Sequence, residues 1–255
     1  MMSYQPPYRI TTKITHFLTN IAEILGEIKY IDSKLNTPKL RKINKIKTIT
    51  GTLQIEGNSF SEQKVSAVLE GKRVLSTPKE LAEVQGAIAV YEQFPHYDCY
   101  NIDHLLKAHQ LMMGQILTRA GHFRTQSVGV YGKEGVTHIA PPANMVSGLM
   151  AELFDWLQQS AEHPLISSSI FHYEFEFIHP FIDGNGRMGR LWQTLILNNW
   201  KPLFQTIPVE SVIRDYQQDY YHALQQSGND GESTVFIEFM LQVILESIQQ
   251  VTESI

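Results

Sequence analysis

Apolar residues recur at helical spacing along almost the whole of this chain, and that periodicity commits it to a largely helical fold. From Ile14 to Tyr30 the repeat runs Phe17, Leu18, Ile21, Ile24, Leu25, Ile28. A basic helix follows from Pro38 to Ile55. It sets Leu40, Ile43, Ile46 and Ile49 beside Lys39, Arg41, Lys42, Lys45 and Lys47, and Gly57-Asn58 ends it, as those residues do at helix C-termini. Ser61 is placed to N-cap a helix through Val65 and Leu69 that stops near Gly71. Helical periodicity returns over 78–94, 102–117, 143–159, 165–178, 187–199, 209–227 and 232–250. One segment, TQSVGVYGKEGVTHIAPP at 125–142, breaks the pattern. Short β-favouring runs flank Gly132-Lys133-Glu134-Gly135, which is the signature of a small β-hairpin. The expected class is all-α with one hairpin.

Length and charge narrow the function. The chain has 255 residues, 43% hydrophobic and 18% charged, enough to bury the core of one large domain or a domain with a helical extension. No internal repeat or interdomain linker stands out. A net charge of −5 argues against coating nucleic acid, and the basic stripe 39–47 reads as the solvated face of an amphipathic helix. The single cysteine, Cys99, excludes an intramolecular disulfide and a cysteine-built zinc site. The start, MMSYQPPYRITTKI, lacks the apolar core of a signal peptide, and no stretch reaches the ~18 apolar residues of a membrane span. A cytoplasmic location with no membrane partner is the expectation, leaderless secretion being left open.

The chemistry concentrates in Phe177-Ile178-His179-Pro180-Phe181-Ile182-Asp183-Gly184-Asn185-Gly186-Arg187-Met188-Gly189-Arg190-Leu191. Pro180 ends the preceding helix near His179. Gly184 and Gly186 allow tight turns and close approach to a ligand. A new helix is expected from about Arg187. Its N-terminus presents unpaired amides and a favourable dipole, which make an anion site. Arg187 and Arg190, three apart, suit phosphate oxygens. Asp183 supplies a carboxylate of the kind that holds Mg²⁺ beside phosphates. His179 is the group able to move a proton near neutral pH. Base, metal carboxylate, anion cradle and cations within twelve residues describe a site for phosphoryl or nucleotidyl transfer. Gly184-x-Gly186-x-x-Gly189 also fits a dinucleotide fingerprint, but a helix and His-Pro-Phe precede it where a strand is required. His172, Glu176 and His179 share a helix face. The set lacks the His-Glu-x-x-His pattern of a metal site, so His172 reads as a packed or hydrogen-bonded histidine.

HPFIDGNGRMGR meets every defined position of the Fic family signature, H-P-F-x-[D/E]-G-N-G-R-x-x-R, and the chain resembles that family. GHFRTQSVGV, the hairpin and Ala140-Pro141-Pro142 resemble the stretch that forms the family's flap. Residues 103–243 resemble the catalytic core and 244–255 the end of the last helix. The N-terminal region, 1–95, resembles from residue 10 onward the helical extension of many members. The resemblance implies a Fic-fold helical bundle that transfers AMP from ATP to a Ser, Thr or Tyr hydroxyl of a target protein, possible targets including the chain itself. It implies His179 as base, Asp183 as Mg²⁺ ligand, and Gly184, Asn185, Gly186, Arg187 and Gly189 around the phosphates. Arg190 falls to the γ-phosphate and Tyr220 and Tyr221 to the adenosine. Thr137, His138 and Ile139 become the flap that aligns the target segment by backbone pairing. Arg124 is open between a structural role and binding the flap's partner. Members often dimerise, which leaves a homodimer open.

Thr52-Leu53-Gln54-Ile55-Glu56-Gly57 further resembles the family's inhibitory motif, [S/T]-x-x-x-E-[G/N], in the class where it precedes the core. The resemblance implies that Glu56 pairs with Arg190 and takes the space of the γ-phosphate. Removal of AMP, transfer of another phosphate-bearing group such as UMP, and a non-catalytic ATP-sensing module are the rival readings.

Overall fold

The computed structural model describes residues 4–28, 37–132 and 135–253. The described elements are α1 (Thr12–Ile28), α2 (Pro38–Ile55), α3 (Glu62–Leu69), α4 (Pro78–Glu92), α5 (Ile102–Met113), β1 (Gly129–Gly132), β2 (Gly135–Ile139), α6 (Val146–Gln159), α7 (Pro164–Ile178), α8 (Asn185–Trp200), α9 (Val209–Asp215), α10 (Gln217–Asp230) and α11 (Thr234–Glu253). Three short 3₁₀ turns, Phe94–His96, Ala143–Met145 and Pro202–Thr206, join them. The expected end of the first helix at Tyr30 and the hairpin turn Lys133-Glu134 lie outside the described residues.

Local chemistry explains most boundaries. Pro38 and Pro78 open α2 and α4 at positions where a missing N–H costs nothing, with Thr37 and Thr77 as N-caps. Thr77 and Glu80 complete a capping box, and Ser61 caps α3 as its sequence predicts. Gly57 takes a φ of 84° and turns the chain out of α2. Two expectations need correction. The helix expected from Arg187 begins two residues earlier, because Gly184 at φ 87° is its N-cap. The single helix expected over 209–227 is two, α9 and α10, broken at Tyr216 (φ −108°, ψ 32°).

α7 is the central element. Leu165 through Phe175 are all buried, as expected of a helix apolar on most faces. It packs on α8 and is flanked by α6 and α11. α1 lies along α11, α2 lies on α9, and α4 on α5. One hydrophobic core runs from Ile14 to Val251 and includes residues of α1 through α4. By length and composition α11 would qualify as a membrane span, but Phe236, Ile237, Met240, Leu241, Ile244 and Ile248 are spent on this core. β1 and β2 pair antiparallel with Gly129 opposite Ile139 and Val130 opposite His138, then Tyr131 opposite Val136. The register therefore skips Thr137 as the extra residue of a bulge.

Gly51 lets α2 lie directly on α9: a Cβ there would stand 2.7 Å from the carbonyl carbon of Glu210 and 2.8 Å from the nitrogen of Ser211. Gly51→Ala gains ~1 kcal/mol of helix propensity. Overpacking against backbone, which cannot swing aside, costs about 1–3 kcal/mol. The substitution is expected to lower the unfolding midpoint by several degrees, at roughly 2–4 °C per kcal/mol for a chain of this size. An unchanged or higher midpoint in a thermal melt would mean that the two helices are not locked together here.

Candidate active site

α7 stops at His179, which takes a left-handed conformation (φ 50°, ψ 61°) and is the only non-glycine with positive φ among the described residues. Such a residue costs about 1–3 kcal/mol and persists only where its surroundings enforce it. Arg124 supplies that enforcement. Its Nε donates to the His179 carbonyl at 2.7 Å, and its Nη2 donates to Ile178 at 3.2 Å and to Pro141 at 2.6 Å. Its Nη1 donates to Gln126 at 2.9 Å, and its backbone N–H to Pro180 at 2.9 Å. The guanidinium, buried, thus ties the end of α7 to both sides of the hairpin's base. Of the two roles open to Arg124 from sequence, this is the structural one.

The loop that follows is closed by side chains. Asn185 accepts from Phe181 N through Oδ1 and donates to Phe181 O through Nδ2, both at 2.9 Å. Phe181 stacks on His109 with ring centroids 3.7 Å apart. His109 accepts from Gly121 N at Nδ1 (2.8 Å), so its proton sits on Nε2 and is donated to the Asp183 carbonyl at 3.0 Å. Burial holds this imidazole neutral, at about 4. The role of His109 left no sequence signal, since a lone histidine on a periodic helix reads as packing. Asp183 Oδ1 accepts from Gly184 N at 2.6 Å and from Arg187 Nη2 at 3.2 Å. Arg187 also lies 3.7 Å from Glu83.

The amides of Asn185, Gly186 and Arg187 open α8 and cannot find acceptors within it. The Glu56 carboxylate lies beside them: a Cβ on Gly186 would collide with its Oε1. The same oxygen accepts from Arg190 Nη2 at 2.6 Å. Arg190 further donates from Nε to Thr52 Oγ1 at 3.0 Å and from Nη2 to Thr52 O at 3.2 Å. Its side chain is 1% exposed and that of Glu56 is 32% exposed. Burial works against the Arg190 charge, but Glu56, Tyr220 and Glu176 outweigh it and hold the guanidinium ionised.

Glu176 lies beneath. Burial, opposed by Arg190 and reinforced by Glu56, pushes its carboxyl up to about 8. Its Oε2 stands 4.0 Å from His179 Nδ1. His172 is a buried histidine bonded to Gln193 Oε1 at 2.6 Å and to the Tyr220 hydroxyl at 3.0 Å, and burial lowers it to about 3. Among the described residues no cluster of three or more His, Cys, Asp and Glu side chains is placed to hold a metal. Gly189 backs onto His172 and Glu176, at 2.8 Å and 3.1 Å from where a Cβ would stand, and this lets α8 meet α7 closely. Tyr220 is buried. Tyr221 is partly exposed, and its hydroxyl joins Gln217 Nε2 in donating to the Ile55 carbonyl, at 3.2 Å and 2.6 Å. The loop, Glu56 and Tyr221 therefore converge on one region. Ile139 stands 79% exposed on the hairpin. The side chains of Thr137 and His138 lie outside the described residues.

These buried groups set opposing slopes. His109 and His172, lowered to about 4 and about 3 from 6.5, contribute stability that is complete above pH 6.5 and is lost as pH falls toward those values. Glu176 and Glu210, raised to about 8 and about 7 from 4.5, contribute stability that is complete below pH 4.5 and is lost as pH rises through those values. The unfolding midpoint should therefore fall between about pH 6.5 and about pH 8, and Glu176→Gln should flatten that fall. Equal slopes for the two proteins would refute the raised carboxyl.

Comparison with known proteins places this geometry. The Fic/DOC family model matches residues 99–197. The chain is 27% identical over 248 residues to protein adenylyltransferase fic-1 of Caenorhabditis briggsae, covering 91% of this chain and 46% of that one. It is 28% identical over 229 residues to protein adenylyltransferase Fic of Culex quinquefasciatus, covering 86% of this chain and 43% of that one. The chain thus spans just under half the length of these two curated relatives. Among solved structures, a segment of Fic-1 from C. elegans shares the fold at a TM-score of 0.71 and 23% identity, over 94% of this chain and 74% of that one. A Fic family protein from Desulfovibrio desulfuricans G20 superposes at a TM-score of 0.95 with 48% identity, over 98% of this chain and 77% of that one. A likeness of that degree across nearly all of this chain, joined to the intact loop and the Glu56–Arg190 pair, shows that the chain belongs to the Fic family.

Proposed function

We propose that this protein transfers AMP from ATP to a Ser, Thr or Tyr hydroxyl of a target protein, and that Glu56 restrains the reaction. The observation that carries the reading is the Glu56 carboxylate seated between Gly186 and Arg190 at the start of α8. An anion already takes the position where a helix N-terminus and a buried guanidinium favour negative charge. A terminal phosphate fits that seat by charge and can enter only when the carboxylate leaves. The curated relatives' shared name, protein adenylyltransferase, supports the same chemistry.

In this reading the amides of Asn185, Gly186 and Arg187 and the Arg187 side chain hold the phosphates, Arg190 takes the γ-phosphate once freed, and Tyr221 borders the adenosine. The Gly184 amide is already taken by Asp183, and Tyr220 is buried with its hydroxyl on His172, so both stand behind the site. Asp183 fits a Mg²⁺ site of the one-carboxylate kind: Oδ1 carries the bonds to Gly184 and Arg187, the side chain is half exposed, and Oδ2 has no hydrogen bond among the described residues. Bound there, Mg²⁺ would neutralise phosphate charge as pyrophosphate departs. His179 accepts the proton of the target hydroxyl as that oxygen bonds to the α-phosphorus, and the bond from the α-phosphorus to the bridging oxygen breaks. Thr137, His138 and Ile139 lie on the strand that would pair with the target backbone.

Two substitutions test the reading with labelled ATP and with mass spectrometry for added AMP on the protein itself. His179→Ala should lose transfer by roughly 10²–10⁴-fold while ATP binding is kept, the usual scale for a missing general base. Glu56→Gly should raise transfer at least about tenfold, since lifting only ~1.4 kcal/mol of restraint yields that factor. Equal rates for Glu56→Gly and the natural chain would exclude the restraint. Transfer unaffected by His179→Ala would exclude the base, and preference for labelled UTP would change the donor.

A further inference from the structure

A second cleft, of about 310 Å³, opens between the Arg41–Thr48 stretch of α2, the Tyr91–Phe94 segment, Thr194 in the middle of α8 and the Gln205–Thr206 turn. Among the described residues no acidic side chain lines it. Arg41, Lys42 and Lys45 form one rim, and Tyr91 and Phe94 form a wall, their rings stacked with centroids 6.4 Å apart and 7° between planes. Lys42 already pairs with Glu70 at 3.1 Å. Among the described residues Arg41 and Lys45 have no carboxylate within ion-pair distance. Lys45 is partly withdrawn from water, and burial lowers its ammonium, only partly offset by Glu92. Thr48, buried in the floor, has a hydroxyl with no hydrogen-bond partner among the described residues.

We propose that this cleft binds a small phosphate monoester carried on a flat ring. Two uncompensated cations supply charge-assisted donors for the phosphate, and the Thr48 hydroxyl below them a further donor. The flat aromatic pair supplies the apolar face against which a ring lies. The volume stands at the lower end of the range for small-molecule sites, which limits the ligand to about one ring and its phosphate. The tyrosine hydroxyl does not compete for the ligand, because it is spent on Glu210 Oε1 at 3.1 Å. The cleft also has a defined relation to the loop. Arg41, Lys45, Thr48 and Thr52 follow one another along a single face of α2, whose C-cap is Glu56. The site is therefore built on the helix that holds Arg190.

Titration of the full chain with phenyl phosphate, followed by calorimetry, tests the assignment without reading AMP transfer, so its failure would leave the transferase reading untouched. Arg41→Glu with Lys45→Glu should weaken binding at least tenfold at an unchanged unfolding midpoint, since neither side chain is buried in the core. Arg187→Gln, in the loop, should leave binding unchanged. Inorganic phosphate should bind more weakly than phenyl phosphate because it lacks the ring. No binding by the natural chain, binding abolished by Arg187→Gln but not by the double substitution, or equal affinity for inorganic phosphate would each overturn the proposal.

Discussion

The turn from α7 into α8 is a partly buried stretch of irregular backbone, and its polar groups have to be satisfied one by one because neither helix can do so. Three side chains from three places in the chain meet that need. Arg124 takes the carbonyls of Ile178 and His179, His109 takes that of Asp183, and Asn185 takes both polar groups of Phe181. All three are buried. Because these bonds are supplied from the side, the first amides of α8 are left facing the region where Glu56 lies. A loop held by its own amides would have none to offer an anion.

The charges around that region depend on one another. Arg190 is removed from water, which is tolerable only with a counter-charge close by. Glu56 provides it, and in doing so adds to the burial that keeps Glu176 protonated. If Glu56 leaves without a replacement, one of the two effects that raise Glu176 disappears while the lowering effect of Arg190 stays. The carboxyl then sits nearer to ionising close to His179. If an anion such as a phosphate replaces Glu56, Glu176 keeps its proton and the balance is preserved.

What could be read from sequence was local. The loop from His179 to Arg190 is contiguous, so its glycines, its carboxylate and its cations announce themselves without a fold. The periodicity of α2 and the Gly57 stop likewise follow from neighbours along the chain. Asn185 reads in sequence as part of the phosphate cradle. In the structure its side chain closes the loop on Phe181, leaving only its amide toward an anion. Gly189 reads as a ligand glycine, yet its Cα backs onto His172 and Glu176 across the α7–α8 contact. Neither distinction was available, because each depends on which way a residue faces in a packed pair of helices. The break at Tyr216 and the bonds of Gln217 and Tyr221 to Ile55 carry no local signal either. They join segments about 160 residues apart, the scale of the separations between those partners.

The same long-range bonds decide how the Glu56 carboxylate can move. Sliding α2 away from α8 would break Arg190 from Thr52, Gln217 and Tyr221 from Ile55, Asn44 from the Thr206 carbonyl and Ser211 from the Lys47 carbonyl. It would also open the close contact at Gly51. Each of these bonds is worth ~1 kcal/mol net, and those of Arg190 ~1.5–3, so the sum approaches the stability of a whole domain. Glu56 itself follows the last residue of α2 and precedes Gly57, and its side chain is partly exposed. Rotation about its own side-chain bonds breaks one hydrogen bond to Arg190, about 1.5–3 kcal/mol between charged groups, and leaves the buried guanidinium without its counter-charge until another anion takes the seat. The helix is thus a fixed frame and the carboxylate its one movable part.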